Sequence, residues 1–298
     1  MKINLAWLYA ITKYGYPPSI ANMYKVIDDA SRLGFEALEL EVYKGDNLVE
    51  VEKNKLMEYI EGKGITINNV AAILPELLSP DSTVREKGLE FFKRACELAV
   101  YFKAPMIQTD TFTPPVEYIG LKPYSATIKF AEKYRVKIPS VFSWDSFWKR
   151  LVNIMDKCAK TANDYGLIFT LEPRVGETIS NSDAMIRIIE QIGQENFGAV
   201  LDTGHLNAAK ELIPLSVEKL NKKIMYIHVS DNDGRDNFHY APGKGNIDWD
   251  AVFEGLKKYK FNGYIAIDIG GPDLKARLDS EVLEAKRFIE EKYRKYLI

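Results

Sequence analysis

Apolar and polar positions along the chain follow two alternating rhythms. Short runs rich in Ile, Val, Leu and Phe recur from one end to the other: INLAWLY (3–9), EALELEV (36–42), ITINNVAAI (65–73), PMIQTDT (105–111), LIFTLEP (167–173), FGAVLD (197–202), IMYIHVS (224–230) and YIAIDI (264–269). Between and after them, near 19–33, 49–61, 82–102, 145–165, 181–193, 206–222, 247–259 and 275–296, apolar residues return every three or four positions. The first rhythm predicts strands and the second amphipathic helices. Ser82, Asn181 and Asp248 stand where helix N-caps are expected. Gly34, Gly64, Gly166 and Gly263 stand just before strand runs, where a helix would be closed.

Strands that alternate with helices pair in parallel through right-handed crossovers. Eight such units of roughly 30 to 40 residues predict an α/β fold, a closed (β/α)8 TIM barrel, as a single domain over residues 1–298. A doubly wound open sheet is the competing arrangement, but no GxGxxG follows the first strand. One connection is out of proportion: residues 111–144, between the fourth strand and its helix, hold Pro114, Pro115, Pro123 and Pro139 with Tyr118, Tyr124, Tyr134, Phe142 and Trp144. A long loop after a barrel strand lies on the face where sites are built. A lid, a packing extension and a subunit contact are the roles open to it.

Composition narrows the partners. The chain has 298 residues, 28% of them charged, and a formal net charge of −2, with acidic and basic residues intermixed. No general field attracts a polyanion, so nucleic acid is not an expected partner. No apolar stretch reaches membrane-spanning length, and the N-terminal run reads as a first strand rather than an export signal. Cys96 and Cys158 fall in helical segments and form neither a CxxC pair nor a disulfide framework. The expected compartment is the cytoplasm.

The strand ends carry the chemistry. In a barrel, the last inward side chain of each strand faces the mouth. The fifth run ends at Glu172, the sixth at Asp202, the seventh carries His228 near its end, and the eighth ends at Asp268. Two residues back on the same face stand Thr170, Val200, Tyr226 and Ala266; the other parity, Leu171, Leu201, Ile227 and Ile267, is the one helices should cover. Three carboxylates and an imidazole meeting at one rim repel and desolvate one another unless a cation neutralises them. One divalent metal held by Glu172, Asp202, His228 and Asp268 is the simplest resolution. An oxygen-rich set with one nitrogen suits Mn²⁺ or Mg²⁺ first, with Co²⁺, Fe²⁺ or Zn²⁺ also accommodated. The chain owns three histidines, at 205, 228 and 239. His205, past the Thr203–Gly204 turn, is placed to lean over the same mouth and donate to a substrate oxygen as a neutral imidazole; the alternative is that it caps the next helix.

These residues resemble the xylose-isomerase-like TIM barrels, a group that includes sugar-phosphate isomerases, ketose 3-epimerases, inosose dehydratases and, more distantly, endonuclease IV. The resemblance follows strand order through nearly the whole chain and rests on LEP (171–173), LDTGH (201–205), IHVSDNDGR (227–235) and PGKGNIDW (242–249). It implies that Glu172, Asp202, His228 and Asp268 bind one metal and that His205 and Arg235 contact substrate. The epimerase pattern has glutamate where this chain has Asp268, one methylene shorter. The endonuclease branch adds histidines near the third and fourth strand ends, where this chain reads NNVAAIL and MIQTDT, and its DxH pattern is Asn237-Phe238-His239 here. DNA repair is therefore disfavoured, and His239 reads as a substrate contact or loop residue. PGKGNIDW reads chiefly as a tight turn and helix cap. Lys244 and Arg174 are the cations near the mouth that an anion would meet, although such side chains are usually solvated.

The expected activity is metal-dependent isomerisation or epimerisation of a small keto-sugar or sugar phosphate through an enediolate. Glu172 and Asp268 would be its acid/base pair. An inosose-type dehydratase and a non-catalytic sugar-binding barrel are the alternatives. The expected partner is a small carbohydrate, with neither nucleic acid nor membrane, and the resemblance adds a homo-oligomer.

Overall fold

The computed structural model describes residues 2–43, 50–124, 128–129 and 131–298. Eight strands close into a parallel barrel: β1 (Ile3–Leu5), β2 (Ala37–Tyr43), β3 (Thr66–Ile73), β4 (Met106–Thr109), then β7 (Ile168–Leu171), β8 (Phe197–Asp202), β9 (Ile224–Val229) and β10 (Tyr264–Ile267), with β10 returning to β1. Two further strands, β5 (Glu117–Tyr118) and β6 (Val136–Lys137), pair antiparallel in the excursion between β4 and its helix. This is the expected (β/α)8 architecture.

The helices around it are α1 (Leu8–Tyr14), α2 (Ile20–Arg32), α3 (Glu50–Gly62), α4 (Ser82–Tyr101), α5 (Trp144–Asp164), α6 (Ser182–Ile192), α7 (Thr203–Ala208), α8 (Ile213–Leu220), α9 (Trp249–Lys258) and α10 (Leu278–Tyr296). Three boundaries correct the pattern reading. The first run is a strand only to Leu5, and its remainder turns into α1, whose Leu8, Ile11 and Thr12 line the central cavity. The segment 206–222 is two helices, because Lys210 takes a left-handed backbone (φ 67°) and Pro214, which has no N–H, fits only the first turn of a new helix. The cap of α4 is Asp81 rather than Ser82: its carboxylate accepts from Thr83 N at 2.8 Å. Val49, expected as the first residue of the third helix, and residues 125–127 and 130 of the long loop lie outside the described residues.

Strand alternation separates two interiors. Leu38, Leu40, Leu171, Leu201, Ile227 and Ile267 face the helices and join one large apolar core. Ala6, Met106, Val200, Tyr226 and Ala266 form a second, small cluster. The second set is the inward parity, so the strands of the rim are turned as the alternation requires. Cys96 and Cys158 are both buried and free. No described helix is long and apolar enough to cross a membrane.

The first and last helical turns are locked by charge. Asp29 on α2 pairs with Lys13 (3.0 Å) and Arg32 (2.6 Å), and Asp279 on α10 pairs with the same two cations (2.9 and 2.6 Å). Burial pushes both carboxyls up, but these cations outweigh it and hold Asp29 below the ordinary aspartate range and Asp279 down to about 2. Groups with depressed folded pKa values stabilise above their unfolded pKa and lose that contribution as pH falls through the folded one. Asp29→Asn should therefore cost about 2 kcal/mol near pH 7. Denaturant unfolding should show that gap constant above roughly pH 5 and shrinking as pH falls further; a gap that stays constant or widens on acidification contradicts the assignment.

Candidate active site

The C-terminal rim of the barrel opens into a cavity of about 570 Å³. One wall is apolar, from Trp7, Leu8 and Ile11, while the floor is polar. Glu172 stands one residue past β7, Asp202 ends β8, His228 lies on β9, and Asp268 follows β10. Register places Asp202 beside His228 across the β8–β9 pair. His228 Nδ1 lies 3.2 Å from Glu172 Oε1 and 3.9 Å from Asp202 Oδ2, and its Nε2 lies 3.2 Å from Glu39 Oε2. Asp268 Oδ2 lies 3.1 Å from His239 Nδ1. Each of the four residues expected as ligands is more than nine-tenths withdrawn from solvent.

That crowding sets the electrostatics. Burial pushes the His228 imidazole down, but Glu172 and Glu39 outweigh it and hold it well above its ordinary value. Burial likewise pushes Glu172 up, and the His228 charge reverses the direction and keeps the carboxylate ionised. Asp202 has no such rescue: burial first, then Glu172, raise it well above the ordinary range. Its Oδ1 accepts from His205 N at 2.7 Å, capping α7, while Oδ2 has no hydrogen-bond partner among the described residues. The cap of this helix is thus Asp202, not His205.

The remaining predicted contacts divide. His205 Nε2 faces Arg174 Nε at 3.3 Å, which leaves Nδ1 to carry the ring hydrogen, and Nδ1 has no partner among the described residues. Burial and then Arg174 hold the imidazole well below its ordinary value, so it is neutral. His239 lines the cavity, 5.1 Å from the His205 ring, and also meets Ser230 Oγ at 3.2 Å. Arg235 is exposed in a turn whose backbone N–H donates to Asp233, and it is not part of the cavity lining. The guanidinium in the wall belongs to Arg174, which pairs with Asp110 and Glu177 and lies 4.3 Å above the Tyr124 ring. Among the described residues of the long loop, Tyr124 and Ile128 line the cavity. Lys244 is committed to Glu281 (2.7 Å) and Glu284 (2.8 Å), and Asp248 caps α9, so PGKGNIDW is architecture.

Among the polar cavity residues that escaped the sequence reading are four on or beside strands: Glu39, Glu41, Gln108 and Asp110. Their signal is the alternation itself. In ELEV the acidic residues alternate with Leu40 and Val42 and take the parity that faces inward, and Gln108 and Asp110 share that parity in IQTD. Gln108 Nε2 donates to Glu172 Oε2 at 2.9 Å. Burial, then Asp110, raises Glu41 well above the ordinary range, and burial raises Asp110 to about 6 against the pull of Arg174.

The donor set fits a divalent cation. Two overlapping triads, Glu172–Asp202–His205 and Asp202–His228–Asp268, each bring their ligand atoms within 4.8 Å of one another and share Asp202. A buried carboxylate oxygen without a donor, beside two further carboxyls, is the arrangement that a cation stabilises.

The description "Xylose isomerase-like TIM barrel" belongs to a family whose profile matches residues 27–291. An uncharacterised protein of Methanocaldococcus jannaschii is 32% identical over 120 residues, 38% of this chain and 41% of that protein. The D-psicose 3-epimerase of Ruminiclostridium cellulolyticum is 22% identical over 81% of this chain and 76% of its own length. An inosose isomerase of Bacillus velezensis is 26% identical over 56% of this chain and 64% of its own. The chain thus spans under two thirds of the first and third of these relatives. Among solved structures, the IolI protein with a bound zinc atom superposes with a TM-score of 0.75 at 19% identity, over 99% of both chains. With a profile match over most of its length and a closed eight-stranded barrel, the chain belongs to the xylose isomerase-like TIM barrel family.

Proposed function

We propose that this enzyme is a metal-dependent epimerase or isomerase of a small keto-sugar. The observation that carries the reading is the pair of overlapping ligand triads around the Asp202 oxygen that lacks a hydrogen-bond partner, on the floor of a cavity sized for a small sugar. The sugar-converting relatives and the zinc-containing neighbour support it. Glu172, Asp202, His228 and Asp268 would hold the metal, and when bound it would polarise a substrate carbonyl and acidify the adjacent C–H.

The chain's own groups supply the proton chemistry. Glu172, fixed by Gln108, takes the proton from the carbon beside the carbonyl. The C–H electron pair becomes the C=C bond of an enediolate, and the carbonyl π pair moves onto oxygen. Asp268, reached from the other side of β8 and β9 and held by His239, has to enter the step carrying a proton. It gives that proton to the opposite face as the enediolate oxygen re-forms the carbonyl, which inverts the centre and leaves Asp268 ionised and Glu172 protonated, ready for the reverse direction. Return to the neighbouring carbon isomerises instead. His205 Nδ1–H is the donor for a substrate oxygen, and Arg174 takes the cationic position that the resemblance gave to Arg235.

Of the two cations in the described cavity lining, Lys275 and Arg174, the second is engaged within the protein. It is the only guanidinium among the described cavity residues and is already paired with two carboxylates. The relatives named inosose dehydratase favour a second reading, in which the same enediolate expels a β-hydroxyl that leaves as water with a proton from the acid group.

Two outcomes are expected. Purified protein should carry about one divalent metal per chain by elemental mass spectrometry, and an Asp202→Ala, His228→Ala double variant should carry none; equal metal in both removes this site. In D₂O, NMR should show exchange of the proton beside the keto group of a free ketose, slowed roughly 10³-fold in Glu172→Gln. Release of water instead would assign the dehydratase reading, and unchanged exchange in the variant would remove Glu172 from the chemistry.

A further inference from the structure

Glu39 on β2 is 3% exposed and has no assigned part in proton transfer, yet donors from β3, β9 and the start of α1 converge on it. Its Oε2 accepts from Asn69 Nδ2 at 2.8 Å and from Tyr226 OH at 3.2 Å, and its Oε1 faces the Trp7 backbone N–H at 3.3 Å. Tyr226 OH is itself held by Asn4 Nδ2 at 2.8 Å. The fourth group on this carboxyl is His228 Nε2, at 3.2 Å, and the Tyr226 ring meets the His228 ring edge to face at 4.9 Å. A buried carboxyl among the apolar side chains of the barrel lumen is costly unless its oxygens are engaged. Here they are engaged in a way that fixes one imidazole.

We infer that Glu39 is a positioning residue for His228, holding a hydrogen on Nε2 and the ring in place so that the Nδ1 lone pair is presented to the cation. The argument is geometric. Both ring nitrogens face carboxyl oxygens, Nε2 that of Glu39 and Nδ1 that of Glu172, so a cation held among Glu172, Asp202 and Asp268 takes the Nδ1 lone pair and leaves the ring hydrogen on Nε2, toward Glu39. The opposite nitrogen is the one turned toward Glu172 and Asp202. Donating the second N–H of a metal-bound histidine to a carboxylate fixes the tautomer and raises ligand basicity. Asn69 and Tyr226 in turn hold Glu39, and Asn4 holds Tyr226, so the lumen network supports the rim from below. The inference rests on the metal site proposed above.

The test uses zinc, which is diamagnetic, and ring-¹⁵N histidine labelling, which gives three imidazoles to assign. In zinc-loaded wild type, the retained ring proton of His228 should sit on Nε2 and exchange slowly. Glu39→Gln should shift that resonance and weaken zinc binding, measured by calorimetry, roughly 10- to 100-fold. A structural role alone would lower thermal stability while leaving the zinc affinity and the His228 shifts unchanged, and that result overturns the assignment. If Glu39→Gln does not fold, the wild-type spectrum decides: a proton on Nδ1 overturns it without any variant. Wild type that binds no zinc overturns both this inference and the metal site, whereas equal binding by wild type and variant overturns the role of Glu39 alone.

Discussion

The structure is organised around a charge problem. Glu39, Glu172 and Asp202 approach one imidazole, and Asp268 joins them in an overlapping cluster. Two like charges 4 Å apart cost about 4 kcal/mol even at an effective dielectric of 20. Each carboxyl therefore has its own compensation. Glu172 has Gln108 and His228, Asp268 has His239, Glu39 has three donors besides His228, and Asp202 has the first turn of α7 on one oxygen and no hydrogen-bond partner on the other among the described residues. That remaining acceptor is where a cation completes the balance.

The barrel provides this arrangement through alternation. A strand that turns Leu171, Leu201 or Ile227 toward the helices must turn the next residue toward the mouth, which brings Glu172, Asp202 and His228 to one rim from strands that are neighbours in the sheet. The same parity two residues lower carries Val200, Tyr226 and Ala266, which fill the lumen. Tyr226 links the two layers: its ring packs in the lumen cluster and its hydroxyl reaches Glu39. Loops then finish the wall. Arg174 follows the β7 end, Tyr124 lies under its guanidinium, and His205 is pinned by both the Asp202 cap and Arg174.

Much of this was legible along the chain, because period-two and period-3.6 patterns report which side of an element is buried. The eight strands, the inward parity at Thr170, Val200, Tyr226 and Ala266, and the convergence of the strand-end carboxyls and His228 all follow from it. The errors have local causes. INLAWLY is apolar throughout, so nothing in its pattern marked the change from strand to helix after Leu5. Arg235 and Arg174 are both cations near strand ends, and only the folded chain shows that the first turns outward while the second is bracketed by Asp110 and Glu177. Glu39 and Glu41 were overlooked because an alternating acidic strand reads as half-solvated, whereas in a closed barrel its polar face is interior.

The most direct test of the account is anomalous diffraction from crystals equilibrated with Mn²⁺ and measured on either side of the manganese edge. The account predicts one strong peak in contact with Glu172, Asp202, Asp268 and the Nδ1 atom of His228. A map without a peak at this rim, or with its peak away from Asp202, would contradict it.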